Sequence, residues 1–274
     1  EIFIETSHRV EIFALILATI YSFFIPLKGT LSLIDSIILI AIYVLYIINA
    51  GKSHIEEPDL EGPAEVLAIY PRAYRILITI LFFVFSGYTI FISAGPFAEG
   101  LLCAGKELGI EEFILVQWLA PLASEAPEFI IAIIFALRSK PAEALSVVIS
   151  SKINQWTLLI GMLPIAFSIS SQHLLPMHLD SRQIEEILLT SAQSLFALVI
   201  ITNLRFSLKE AFFIFLLFIT QLFFVDPRIR YIYSFVYVLT ALGMLVFIRS
   251  NRDNFKQMFL SSWFKKDQEK NGKK

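Results

Sequence analysis

Within the apolar segment from about Phe113 to Leu137 stands the run Ser124-Glu125-Ala126-Pro127-Glu128. The next apolar segment answers it with Ser150-Ser151-Lys152-Ile153-Asn154-Gln155. Other hydrophobic runs carry almost no charge, so two carboxylates and an ammonium at mid-membrane depth need a physical reason. Each such residue costs roughly 2.5–3.5 kcal/mol at the bilayer centre on insertion scales. Packing alone does not repay that. The residues mark a polar cavity and an ion path.

On an ideal helix over 112–137, Gln117, Pro121, Ser124, Glu125 and Glu128 fall on one continuous face. Glu125 and Glu128 sit one turn apart and converge on a single cation. Pro121 and Pro127 each remove a backbone donor and leave carbonyl oxygens free beside the glutamates. Carboxylate, hydroxyl and carbonyl oxygens suit Ca²⁺ or Na⁺ and not Zn²⁺ or copper. Two glutamates this close in low dielectric cannot both stay ionised without a cation or a proton, so ion and H⁺ compete for the pair. The plainer alternative is an internal salt bridge, or a protonated pair locking two helices. On the following helix Ser151, Lys152 and Gln155 share a face, flanked by Ser150 and Asn154, which read equally well as interhelical hydrogen bonds. Trp118 and Trp156 read as packing.

These residues must be positioned by membrane-spanning helices. The chain is 57% hydrophobic and 17% charged, with mean hydropathy +0.72. That excludes an ordinary soluble domain and predicts an all-α integral membrane protein. About 20 apolar residues cross the hydrocarbon core. Eight segments qualify: 10–26, 32–50, 73–103, 112–137, 142–169, 184–203, 208–225 and 230–248. The third is long, and Gly95-Pro96 is its expected break. Continuous apolar runs exclude a barrel of alternating strands. The single Cys103 rules out an intramolecular disulfide and a cysteine-built metal site. No basic patch points to nucleic acid, and no Gly-x-x-x-x-Gly-Lys-Ser/Thr run points to a nucleotide.

The linker 51–72, with Glu56, Glu57, Asp59 and Glu61, divides two spans from six. Arg138 and Lys140, Arg205 and Lys209, and Arg249, Arg252 and Lys256 mark short loops on one side, expected to be the cytoplasm. Leu31-Ser32-Leu33-Ile34-Asp35 and Phe206-Ser207-Leu208-Lys209-Glu210 each open a span, on opposite sides by the span count. That is the sign of an inverted repeat, unless it is chance similarity between apolar helices. If the repeat is real, the partner of the Glu125/Glu128 helix would precede residue 1. The chain starts at Glu1, and an N-terminal repeat half is expected to be missing.

The run Gly105-Lys106-Glu107-Leu108-Gly109-Ile110, the Pro127-Glu128 helix, the Arg/Lys turn and then Ser150-Ser151-Lys152-Ile153-Asn154 resemble the α-repeat of the sodium/calcium exchanger membrane region. That repeat defines the cation/calcium antiporter superfamily. Its first helix typically reads Thr-Ser-x-Pro-Glu and its second Gly-Ser-Asn-Ile-Phe-Asn. The resemblance covers about 75–225, with 10–50 matching the end of the preceding half. It implies that Glu128 is the ligand glutamate, with Ser124 and Ser151 as neutral oxygen ligands. Glu125 stands where the family has serine, and Lys152 where it has asparagine or aspartate. These departures point away from Ca²⁺ as substrate and from the usual three-sodium stoichiometry, and toward a diverged prokaryotic branch with Na⁺/H⁺ or other cation/H⁺ exchange.

The expected organisation is then 1–50 as the last two helices of a first repeat half, 51–72 as an acidic cytoplasmic linker, and 73–225 as the second half. An extra helix at 226–249 and a cytoplasmic tail at 250–274 follow. The expected function is a multi-pass plasma-membrane antiporter exchanging Ca²⁺ or another cation against Na⁺ or H⁺, with lipid and inorganic cations as partners and no cofactor beyond the transported ion. Glu128 and Glu125 are its expected metal ligands, and Ser124, Ser151, Lys152, Asn154, Gln155 and Gln117 line the path. One alternative is a non-transporting or proton-coupled relative whose Lys152 occupies the cation site. Another is an intramembrane hydrolase, disfavoured because His8, His54, His173 and His178 lie in or beside loops.

Overall fold

A computed structural model describes residues 2–3, 9–51, 63–109, 115, 120–224, 226–248 and 251–256. The chain forms two compact units, residues 1–54 with 131–274, and residues 55–130.

The larger unit begins with β1 (Ile2–Phe3), α1 (Arg9–Ser22), α2 (Phe24–Lys28), β2 (Thr30–Leu31) and α3 (Leu33–Ala50). The smaller unit contains α4 (Pro63–Ala68), α5 (Arg72–Leu108) and α6 (Ala120–Ser124). Next come α7 (Ala126–Leu137) and α8 (Pro141–Asn154). A π-helical turn (Gln155–Leu159) joins α8 to α9 (Ile160–Ser171). The chain continues through β3 (Met177–His178), α10 (Ser181–Ile201), β4 (Arg205–Phe206), α11 (Leu208–Leu222) and α12 (Pro227–Phe247).

Each of the eight expected apolar segments contains a helix among its described residues. Six of the described helices are long and apolar enough to cross a membrane: Arg9–Lys28, Leu33–Ala50, Arg72–Leu108, Pro141–Ser171, Ser181–Ile201 and Pro227–Phe247. α7 and α11 are shorter, at 12 and 15 residues.

Two expectations are corrected. Gly95-Pro96 does not break the third span: α5 runs unbroken for 37 residues with Pro96 inside it. Proline removes one donor, and an apolar helix can absorb that loss by local adjustment of its backbone bonds. The fourth span is not one helix. It is interrupted at Glu125, between α6 and α7. Within the expected bounds of the linker, Pro63–Ala68 forms α4.

In the smaller unit, Gly105 makes room for Leu115. A Cβ on Gly105 would sit 1.8 Å from Leu115 Cδ1, and Leu115 is buried. In the larger unit, one core joins Ile12 and Ile16 of α1 to Ile149 and Ile153 of α8, Trp156 and Leu198. A second joins Leu189, Phe196 and Val199 of α10 to Tyr237 and Ala241 of α12. Gly161 lets α9 approach α3, because a Cβ there would lie 3.1 Å from Ile40 Cγ1 and 3.3 Å from Leu39 Cβ. Small residues at such contacts are how apolar helices pack closely in lipid.

The strands carry the internal repeat. β1, ahead of α1, pairs antiparallel with β4, ahead of α11, matching Ile2 to Phe206 and Phe3 to Arg205. β3, ahead of α10, pairs antiparallel with β2, ahead of α3, matching Thr30 to His178 and Leu31 to Met177. If α1 corresponds to α10 and α3 to α11, each pairing maps onto the other with its partners exchanged. The same correspondence appears in the caps. Ser32 and Asp35 start α3 with a capping box, as Ser207 and Glu210 start α11.

Candidate functional site

The two glutamates lie at a helix interruption. Pro127 has no N–H, and its ring crowds the carbonyl four residues earlier, so the chain bends at Glu125 before α7 begins. Backbone bonds bracket the bend: Glu125 N donates to Pro121 O at 2.8 Å, and Phe129 N donates to Glu125 O at 3.1 Å. Glu125 and Glu128 are both half-buried, and Ser124 and Pro127 are exposed. Ser124 Oγ donates to Pro121 O at 3.3 Å. Glu128 Oε2 is buried and has no hydrogen-bond partner among the described residues. A buried carboxylate oxygen without a donor is costly, and a bound cation or proton is the chemistry that satisfies it. The face expected from an unbroken helix is therefore carried by two helical pieces. Gln117 and Trp118 lie outside the described residues.

The polar residues of the second motif belong to the larger unit. Arg138-Ser139-Lys140 closes a tight turn between α7 and α8, with Ser139 at φ 60° and Lys140 N donating to Phe135 O at 2.9 Å. α8 then delivers Ser150, Ser151 and Lys152 half-buried, with Asn154 exposed and Gln155 half-buried at the start of the π-helical turn. Ser150 is taken up by a hydrogen bond with Tyr46 of α3, the interhelical role that the sequence left open. In the π-helical turn, Ile160 N donates to Gln155 O, five residues back. Such insertions recur at functional positions in helices. Lys152 Nζ lies 5.6 Å from the centroid of the Trp156 ring. Trp156 is buried, so packing describes it only in part: its Nε1–H donates to Ser194 Oγ of α10 at 2.9 Å.

Two polar clusters escaped the sequence reading. Asp35 is fully buried. It pairs with Lys28, and it accepts from Tyr21 Oη at 2.5 Å and from Ser32 N and Oγ at 2.7 Å. Farther along, Arg230 of α12 lies between Glu185 and Glu186 of α10. Its Nε is 3.0 Å from Glu185 Oε1, an ion pair without hydrogen-bond alignment, and its other end pairs with Glu186. The available signal was an arginine one turn inside an apolar helix and a glutamate pair one turn inside another. Among the described residues, no group of three or more His, Cys, Asp or Glu is placed to hold a metal. His173 and His178 are exposed on the connection between α9 and α10.

Long apolar helices, a repeat whose strands exchange partners, and a carboxylate at a helix interruption define a multi-pass helical membrane protein of exchanger architecture. The chain belongs to the sodium/calcium exchanger protein family, whose model matches residues 78–225. A solved structure described as the H⁺/Ca²⁺ exchanger CAX is similar to it, with a TM-score of 0.89 and 43% identity over 95% of this chain. The chain spans 65% of that exchanger's length. No curated protein matches.

Proposed function

We propose that this chain is part of a secondary antiporter that moves Ca²⁺ against H⁺. The observation that carries the reading is Glu128: a carboxylate with a buried, unpartnered oxygen at a proline-induced helix interruption. It stands at the family's ligand position, in a chain 43% identical to an H⁺/Ca²⁺ exchanger. Glu128 is the primary cation ligand and Glu125 the second carboxylate. Ser124 and Ser151 supply hydroxyl oxygens, Gln117, Asn154 and Gln155 amide oxygens, and Pro127 a freed backbone carbonyl. Ca²⁺ takes six to eight oxygens, so a preceding repeat half is assigned the rest of the shell.

Two carboxylates bind either one divalent cation or protons, and not both. That exclusion is the coupling: cation entry releases H⁺, and protonation on the other side releases the cation. Lys152 replaces a neutral or acidic ligand and acts as a counter-cation to the acid pair when Ca²⁺ is absent. The non-transporting alternative requires Lys152 to hold the site permanently. Its place over the Trp156 ring favours a lysine with a second berth. The membrane is proposed to be a prokaryotic plasma membrane, with the Arg138/Lys140 turn on the cytoplasmic side. Within this reading, 1–50 closes a first repeat half, 51–72 links it to a second at 73–225, and 226–249 adds a helix ahead of the tail at 250–274.

The test is ⁴⁵Ca²⁺ uptake into proteoliposomes bearing the full-length protein, driven by a pH gradient or by a Na⁺ gradient. Uptake with the pH gradient alone is expected. Uptake with the Na⁺ gradient alone would replace H⁺ by Na⁺ as the counter-ion, and uptake with neither would favour the non-transporting alternative.

A further inference from the structure

Lys152 is one of two residues by which this chain departs from the motif it resembles, and its surroundings within the larger unit are specific. Trp156 follows it by four residues, which stacks the two side chains on one face of the helix. The ammonium is 5.6 Å from the indole centroid, inside the range at which an aromatic face attracts a cation. The ring cannot turn freely. Trp156 is 3% exposed, and its only polar hydrogen is committed to Ser194 Oγ. Ser194 is buried as well. One turn earlier on α10, Ser191 accepts from Ser22 Oγ of α1 at 2.7 Å and donates to Ile187 O at 2.7 Å. Ser194 of α10 thus holds the indole, beside a second buried hydroxyl pair that ties α10 to α1, and the ring lies under the lysine ammonium.

We propose that Trp156, held by Ser194, is the positioning residue for the Lys152 ammonium: its face is the berth to which the lysine withdraws when a cation occupies the transport site. The inference rests on the reading that Lys152 competes with the transported cation. An ammonium with no berth of its own competes with the incoming ion at every encounter. One with an aromatic berth gives way while staying charged. The indole N–H cannot accept a proton, so Trp156 is no proton relay. Its effect is on the apparent affinity for the cation. A residue serving only to pack α8 against α10 would lack that selectivity.

The experiment measures KM and maximal rate for ⁴⁵Ca²⁺ in proteoliposomes of the full-length protein. Trp156→Leu is expected to raise KM about tenfold with little change in maximal rate. Trp156→Phe keeps an aromatic face and is expected to stay near the parent value. Ser194→Ala, which leaves the indole donor unpaired, should raise KM by a smaller factor. The decisive arm is the Lys152→Asn background, where Trp156→Leu should no longer change KM, because nothing is left to position. A KM increase of the same size in that background would assign Trp156 to packing and overturn the inference, with the transport reading intact. If Lys152→Asn alone changes neither KM nor ion preference, the competing role of Lys152 falls, and the inference falls with it. Should Trp156→Leu fail to fold, Ser194→Ala with and without Lys152→Asn decides the same question.

Discussion

Asp35 and Glu210 do the same work at the two ends of the internal repeat. Asp35 accepts from the backbone N–H of Ser32 at 2.7 Å at the head of α3, and Glu210 accepts from that of Ser207 at 2.8 Å at the head of α11. Each also accepts from the serine hydroxyl at 2.7 Å. Their settings differ. Asp35 is fully buried with Lys28 and Tyr21 upon it, whereas Glu210 serves only its own helix among the contacts described.

The caps should therefore contribute unequally. Glu210→Ala is expected to cost about 1 kcal/mol, the ordinary worth of a cap. Asp35→Ala should cost about 2–3 kcal/mol, because Tyr21 and Lys28 lose their acceptor as well. Thermal unfolding of the detergent-solubilised protein measures both. Equal losses would mean that the Lys28 and Tyr21 contacts add nothing.

Arg230 is expected to clamp α12 to α10. Arg230→Met leaves Glu185 buried without its counter-ion, at an expected cost of about 3–5 kcal/mol. Adding Glu185→Gln removes the stranded charge and should recover part of that loss. If the double variant unfolds no later than the single one, Arg230 contributes through packing of its stem and not through charge.

The strand pairs make a topological prediction. Thr30–Leu31 pairs with Met177–His178, so the turn after α2 and the turn before α10 lie on one face. With Cys103 replaced, Ser139→Cys and Gln172→Cys should react with an impermeant maleimide from opposite sides of the membrane, Ser139→Cys from the cytoplasmic side. Labelling of both from the same side would overturn the alternation of spans.

Much of this was legible in the sequence, and the gaps have physical causes. Hydropathy placed the six long apolar helices because about 20 apolar residues in a row have no other economical structure. The Ser-x-x-acid starts of α3 and α11 revealed the repeat because a capping box is a local, four-residue event. The outcome at each proline was less readable. Pro96 is absorbed within α5, while Pro127 accompanies a bend, and periodicity does not distinguish the two. The π-helical turn was invisible because one inserted residue changes a helix's phase without changing its composition. Trp156, Ser194, Glu185 and Arg230 form long-range pairs, which no local pattern encodes. Trp156 therefore looked like packing, and Arg230 carried no signal beyond its place at the start of an apolar run.

Whether Glu128 holds the transported cation is decided by removing its charge alone. Glu128→Gln keeps the size and hydrogen-bonding capacity of the side chain and removes its charge. In proteoliposomes of the full-length protein with an imposed pH gradient, that variant is expected to show ⁴⁵Ca²⁺ uptake at the level of empty liposomes. Its thermal unfolding should stay within a few degrees of the parent. Parent-level uptake by Glu128→Gln would remove the residue from the ion path.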